Sequence, residues 1–321
     1  MRTPMSMIET INLTKKYGEL VALDNLNLKI ESGNCYGFIG PNGAGKTTTI
    51  KILATLLKPT WGEARVDGNV VGYQNHLIRP LIGYVPDFMG AYEDMLVQEY
   101  LEFFAACYGI HGKKRKQVVD DVLDLTELGY KRTSDVNGLS RGMKQRLSVA
   151  RVLIHDPKVL LMDEPASGLD PRARIEIREL LRELHRMGKT IIISSHILSE
   201  LAELCDAVGI IEQGKLIFSG DVSEAMKKAE LGANVIIDLD SRAEEAAALL
   251  RDVQGVTLVE EADAELGSVN RLRVVVDPDA GLPISELAAR LVAQGFRINE
   301  LRREQVDLEK AFMRLTRGIV G

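Results

Sequence analysis

Long uncharged apolar runs are missing from this chain. No stretch of about 18 or more apolar residues occurs anywhere in its 321, so no segment is suited to cross a bilayer as a helix. The first fourteen residues carry no secretory apolar core either. Work at a membrane would then need another polypeptide to do the crossing. Cysteine is also scarce. Cys35, Cys107 and Cys205 are odd in number, widely spaced in sequence and set in apolar surroundings. That excludes a zinc-ligand spacing and predicts buried free thiols in a reducing compartment. Positive charge is not in excess: 40 Lys and Arg against 46 Asp and Glu leave a net charge of −6. A nucleic-acid binder would more often be basic.

What is present is ordinary globular material. Hydrophobic residues make up 45% and charged residues 27%, enough for a sizeable core. A length of 321 residues fits one large domain with a smaller one attached.

The most informative stretch is Gly40-Pro41-Asn42-Gly43-Ala44-Gly45-Lys46-Thr47-Thr48, which satisfies the P-loop pattern in full. It follows an apolar strand candidate, Cys35 to Ile39, and precedes a helical stretch, Thr48 to Leu57. The glycines let the backbone turn tightly and come close to an anion without Cβ interference. Amide groups of the loop and the helix N-terminus then favour phosphate. Lys46 supplies an ammonium for the β- and γ-phosphates of ATP, and Thr47 a hydroxyl for Mg²⁺.

The rest of the chain alternates strands and helices. Residues 7–13 and 21–30 read as half-buried strands, with Lys15 to Gly18 as a turn between them. Pro59 to Glu63 reads as a turn, followed by a hairpin around Asp67-Gly68. From Val97 to Ile154 the pattern is helical. Lys113 to Arg115 and Lys116 open one of these helices as a basic, solvated face. Val159 to Asp163 is an apolar strand ending in a carboxylate. Asp170-Pro171 is an N-cap followed by proline at the first helical position; the apolar face behind it runs Ala173, Ile177, Leu180, Leu181, Leu184, Met187. Thr190 to Ser194 is a buried strand, and Gln213-Gly214 turns another hairpin.

Near Asp221 the main unit ends. A charged helix over Val222 to Leu231 reads as a linker. The remaining stretch gives strand, helix, strand, strand, helix, strand and a last helix over Leu308 to Leu315. This βαββαβ order predicts a ferredoxin-like α+β module. The expected domains are 1–222, with a helical subdomain over about 87–157, a linker at 223–232, and an accessory domain over 233–321.

Asp163, at the end of a buried strand, is placed as an acid for Mg²⁺. Glu164 follows directly and can orient or deprotonate an attacking water. His196 ends the next strand, after Ser194-Ser195, near the expected γ-phosphate. Taken in order, the P-loop, Leu139-Ser140-Arg141-Gly142-Met143, Leu161-Met162-Asp163-Glu164-Pro165, Ser167-Gly168-Leu169-Asp170 and His196 resemble the ATP-binding subunit of an ABC transporter. The similarity covers roughly residues 7–220 and rests on an ordered set of motifs.

The resemblance implies an α/β P-loop core with antiparallel β and helical subdomains. It implies ATP hydrolysis with Mg²⁺ held by Thr47, Asp163 and Asp87. Lys46, Glu164 and His196 would be catalytic. Tyr17 matches the aromatic that stacks on adenine. Ser140 and Gly142 match the signature loop that touches the nucleotide held by the other subunit, and Asp170 matches the D-loop linking the two sites. A homodimer beneath a separate permease is implied, at the cytoplasmic face of the cell membrane, with no nucleic acid as partner. Phe88, Met89, Tyr92 and Met95 lie where the family receives the permease or, equally, pack locally. The single nucleotide domain with an appended module resembles exporter ATPases more than nutrient importers.

Three residues depart from the family pattern, Arg141, Met143 and Asp87, with Met143 standing where the signature ends in glutamine. Arg141 replaces the first glycine of the signature's glycine pair, leaving its side chain to face phosphate or solvent. Asp87 stands where glutamine is usual, which keeps an oxygen for Mg²⁺ but charges it. Two rival readings stay in view: a non-transport ABC ATPase acting on nucleic acid or ribosomes, and an ATP-binding scaffold that does not hydrolyse.

Overall fold

The computed structural model describes residues 6–90, 95–195, 201, 203–224, 233–261, 270–277 and 280–303. The expected helices over Val222 to Leu231 and Leu308 to Leu315 lie wholly or largely outside the described residues. The chain divides into two compact units between Val222 and Ser223.

In the first unit, strands β1 (Ser6–Tyr17) and β2 (Leu20–Glu31) pair antiparallel, and β1 also pairs with β4 (Trp61–Val66), which turns into β5 (Asn69–Val70). The alternation of apolar and polar residues buries Ile8, Leu13, Leu23, Leu26, Leu28 and Ile30 on one face. Two expected turns are shorter than the sequence suggests. Strand β1 runs through Tyr17, which pairs with Leu20, so only Gly18 and Glu19 turn. Register shifts along β1 blur its alternation, which is why the sequence pattern ended early. Trp61 begins a strand, paired with Thr14, instead of continuing the turn after Pro59. At the β4–β5 hairpin both Asp67 and Gly68 take positive φ, as a two-residue turn with the right twist demands.

The second sheet has six strands. The order is β10 (Lys215–Asp221), β9 (Ala207–Glu212), β3 (Cys35–Ile39), β8 (Thr190–Ser195), β7 (Val159–Asp163) and β6 (Ile82–Val85). All neighbours are parallel except β10, which pairs antiparallel with β9. Strands β3, β7 and β8 are buried along their whole length, as continuous apolar runs in a parallel sheet require. Parallel register aligns their C-terminal ends: Ile39 faces Ser195, Asp163 faces Ser194, and Val85 faces Met162. That shared edge is where α/β sheets place ligands.

Helix α1 (Lys46–Leu53) leaves the P-loop and stops before the expected Leu57, because Thr55 adopts φ +61°. After the short helix α2 (Asn75–Ile78) come α3 (Val97–Cys107), α4 (Gly112–Leu125) and α5 (Arg141–Leu153), the helical stretch read from periodicity. Helix α6 (Pro171–Arg186) buries Ala173, Ile177, Leu180, Leu181 and Leu184. Met187, expected on that face, is 55% exposed; it is the C-cap, one residue past the last turn that packs.

The cysteines need one correction. Cys35 and Cys205 are buried with their Sγ atoms 3.6 Å apart, but Cys107 is exposed at the end of α3.

The second unit has its own four-stranded antiparallel sheet, ordered β12 (Val256–Glu261), β13 (Arg271–Val276), β11 (Ala233–Leu239), β14 (Ile298–Arg303). Helices α7 (Ala243–Arg251) and α8 (Ile284–Ala293) supply Ala246, Leu250, Leu287 and Leu291 to a core with Val235, Ile237, Leu272 and Val274. Alternate residues of β11 and β13 build this core because successive side chains point to opposite faces. Between them, Arg271 pairs with Asp238 at 3.1 Å.

Candidate functional site

A cleft of about 480 Å³ opens at the C-terminal edge of the parallel sheet, within the usual range for small-molecule sites. Pro41 to Thr48 form one wall, and Asp87, Asp163 and Glu164 face them. Gly45 serves as the N-cap of α1 with φ +111° and no side-chain cap, so the first amides of the helix are left for an anion. Backbone crowding explains two glycines here. A Cβ on Gly40 would strike the carbonyl of Ile211. One on Gly45 would fall 2.6 Å from Leu23 Cδ2 and 2.7 Å from the Ala22 carbonyl oxygen.

Lys46 is 5% exposed. Its Nζ donates to the carbonyls of Gly40 at 2.6 Å and Pro41 at 3.2 Å, and lies 3.5 Å from Glu164 Oε1. Burial lowers its pKa, and the carboxylates of Glu164 and Asp163 oppose that shift. The ammonium is therefore fixed at the mouth of the P-loop by groups that a more strongly charged phosphate can replace.

Asp163 closes the opposite side. Its Oδ1 accepts from Thr47 Oγ1 at 3.0 Å and from Ser194 Oγ at 2.7 Å. The same Ser194 hydroxyl oxygen accepts from the Glu164 amide at 2.9 Å. One buried hydroxyl thus ties the end of β8 to the Asp163 carboxylate at the end of β7 and to the backbone of Glu164 just beyond it. Glu164 takes φ +51°, uncommon for a residue with a side chain; the turn carries its carboxylate toward Lys46. Thr47 and Asp163, with Asp87 on the rim, offer hard oxygen donors suited to Mg²⁺. Among the described residues no cluster of three or more His, Cys, Asp or Glu could hold a metal by itself. A cation bound mainly by phosphate needs only one or two protein ligands.

The predicted site residues fall into two groups. Gly40 to Thr48, Asp87, Asp163 and Glu164 converge on the cleft or frame it. Ser140, Gly142 and Asp170 stand apart, at the N-termini of α5 and α6: Ser140 Oγ accepts from the Met143 amide at 3.3 Å, and Asp170 Oδ1 from the Ala173 amide at 3.0 Å. Tyr17 is 45% exposed on the antiparallel sheet, with Lys15 Nζ 5.1 Å from its ring centroid. His196 and Tyr92 lie outside the described residues. Phe88 is exposed and lines the cleft, whereas Met89 is buried.

Sequence reading missed Ser194 and Tyr84. The signal for Ser194 was a hydroxyl pair ending an otherwise apolar strand, which has to find a partner once buried. Tyr84 lines the cleft, and burial with the nearby charges of Asp163 and Asp87 raises its pKa to about 12. Nothing in its sequence context marks it out.

The family model for ABC transporters matches residues 23–167. Over 310 residues the chain is 36% identical to the Nod factor export ATP-binding protein I of Burkholderia orbicola (strain AU 1054), covering 96% of both chains. It is 43% identical over 216 residues to the bacitracin transport ATP-binding protein BcrA of Bacillus licheniformis, covering 66% of this chain and 69% of that one. Among solved structures, a dimeric bacterial ABC transporter cassette aligns with a TM-score of 0.62 at 29% identity, covering 67% of this chain and 99% of that one.

Proposed function

The chain belongs to the ABC transporter ATP-binding family, an ATPase family, and from that membership we propose that it powers export through a separate membrane permease. The carrying observation is the convergence of the P-loop, Asp163 and Glu164 on one cleft. Among the described residues no helix is long and apolar enough to cross a membrane, in keeping with a subunit that docks at the cytoplasmic face of the cell membrane. Export follows the relatives, which act in Nod factor export and bacitracin transport.

In this reading ATP lies along the P-loop with its γ-phosphate at Lys46. Thr47 and Asp163, with Asp87 at the rim, would hold Mg²⁺, which when bound neutralises charge on the phosphates. Glu164, turned into the cleft by its left-handed backbone, orients and deprotonates the attacking water. Ser194 holds Asp163 and the Glu164 amide in place. Tyr17 stacks on the adenine and His196 steadies the γ-phosphate. A second copy supplies Ser140 and Gly142, and Asp170 links the two sites; that a similar solved cassette is dimeric supports the pairing of two copies.

The C-terminal unit is read as a ferredoxin-like regulatory or assembly module. Its βαββαβ order and the sheet order fourth, first, third, second support this. Phosphate release from ATP, measured with the co-purified permease and without it, tests the function. Hydrolysis that the permease changes is expected; absence of hydrolysis in both would overturn it.

A further inference from the structure

Arg141 occupies the first helical position of α5, where the macrodipole opposes a cation. Local electrostatics therefore give no reason for an arginine there, and its packing does. The guanidinium lies against Gly168 in the loop leading into α6: a Cβ on Gly168 would fall 2.5 Å from Arg141 Cζ and 2.8 Å from Nη2, and closer still to Nη1. Gly168 has φ +65°, so glycine is favoured there by conformation as well as by space. At the next position the same two helix starts touch again. A Cβ on Gly142 would sit 2.7 Å from the Cβ of Ala173. Each helix is capped by its own side chain, Ser140 for α5 and Asp170 for α6. Two capped helix starts are thus joined by two consecutive contacts, one of them a flat guanidinium on a bare backbone.

We propose that Arg141 is a positioning residue that locks the signature loop, Ser140 to Gly142, to the D-loop, Gly168 to Asp170, of the same chain. The two loops then meet a second copy of the chain as one rigid surface. The proposal rests on the dimeric reading above and adds to it a specific internal brace. Arginine suits this role because its planar group stacks where a lysine ammonium does not. Rigidifying the surface before association removes an ordering cost from dimer formation. Arg141 does not line the nucleotide cleft, so binding of ATP to the single chain is independent of it.

The test uses the full chain. With Glu164→Gln to block turnover and ATP present, dimer formation is followed by sedimentation or light scattering. Adding Arg141→Ala is expected to weaken association about tenfold while leaving ATP affinity at low protein concentration unchanged. With Glu164 intact, Arg141→Ala should lower kcat about tenfold more than it changes KM. Arg141→Lys keeps the charge without the flat face and should lose most of the association too. Gly168→Ala weakens pairing in the parent and costs less when Arg141 is already Ala, giving a non-additive cycle. Pairing that Arg141→Ala leaves as strong as the parent's overturns this proposal alone. So do additive effects of the two substitutions, or full pairing by Arg141→Lys. A parent that stays monomeric with ATP overturns the dimeric reading itself, and the brace with it.

Discussion

The two units solve the same folding problem and differ in what they leave at the end of their strands. Each packs helices on a sheet over a buried apolar core. In the first, parallel strands end together, and their ends carry a glycine-rich loop, two acids and two serines. In the second, antiparallel strands end alternately at opposite edges, and their charges form cross-strand pairs such as Arg271 with Asp238. At the parallel strand ends of the first unit Lys46, Asp163 and Glu164 point into a cleft, whereas Arg271 and Asp238 of the second satisfy one another. Chemistry needs strand ends gathered at one edge, which the parallel sheet provides.

Lys46→Ala breaks this contrast most strongly. It removes the cation that Gly40, Pro41 and Glu164 now hold. A charged hydrogen-bond partner contributes roughly 1.5–3 kcal/mol, so ATP affinity should fall about 10- to 100-fold and turnover further. Equilibrium nucleotide binding checks it; parent-like affinity would remove the P-loop assignment.

Leu272→Ala acts on the other unit. Its side chain is fully buried in the second core, and truncation there should cost about 2–5 kcal/mol. Differential scanning calorimetry should show the second unit melting earlier with nucleotide affinity unchanged. Loss of nucleotide affinity would mean the units are not separate in function.

Ser194→Ala sharpens the first unit's account by removing the hydroxyl shared by Asp163 and the Glu164 amide. The orphaned buried partners cost about 1–3 kcal/mol, expected mainly as a fall in kcat. Steady-state kinetics showing parent kcat would make Ser194 a bystander.

Removal of residues from 233 onward should have the smallest effect on nucleotide affinity, since every proposed site residue precedes that point. The same calorimetry with and without ATP would show retained stabilisation by nucleotide. A well-folded truncation that no longer binds ATP would place part of the site in the second unit.

Much of this contrast was legible in the sequence because its signals are local. The P-loop spacing, the apolar run ending at Asp163 and the Asp170-Pro171 helix start each declare themselves within a few residues. What escaped was relational. Ser194 matters only because parallel register places it opposite Asp163. Tyr84 enters the cleft only because β6 lies next to β7. The contact of Arg141 with Gly168 joins residues whose sequence neighbourhoods say nothing of each other. The early end assigned to the first strand came from register shifts that interrupt alternation without ending the strand.

Glu164→Gln tests the central claim most directly, that this cleft performs hydrolysis and Glu164 carries it. The substitution keeps the side chain's shape and removes its basic carboxylate, a contribution typically of about 10²–10⁴ in rate. It also removes negative charge beside the γ-phosphate position. Steady-state phosphate release and equilibrium ATP binding should therefore show kcat reduced by about 10²–10⁴, with ATP affinity kept or tightened. Hydrolysis by Glu164→Gln at the parent rate would contradict the account.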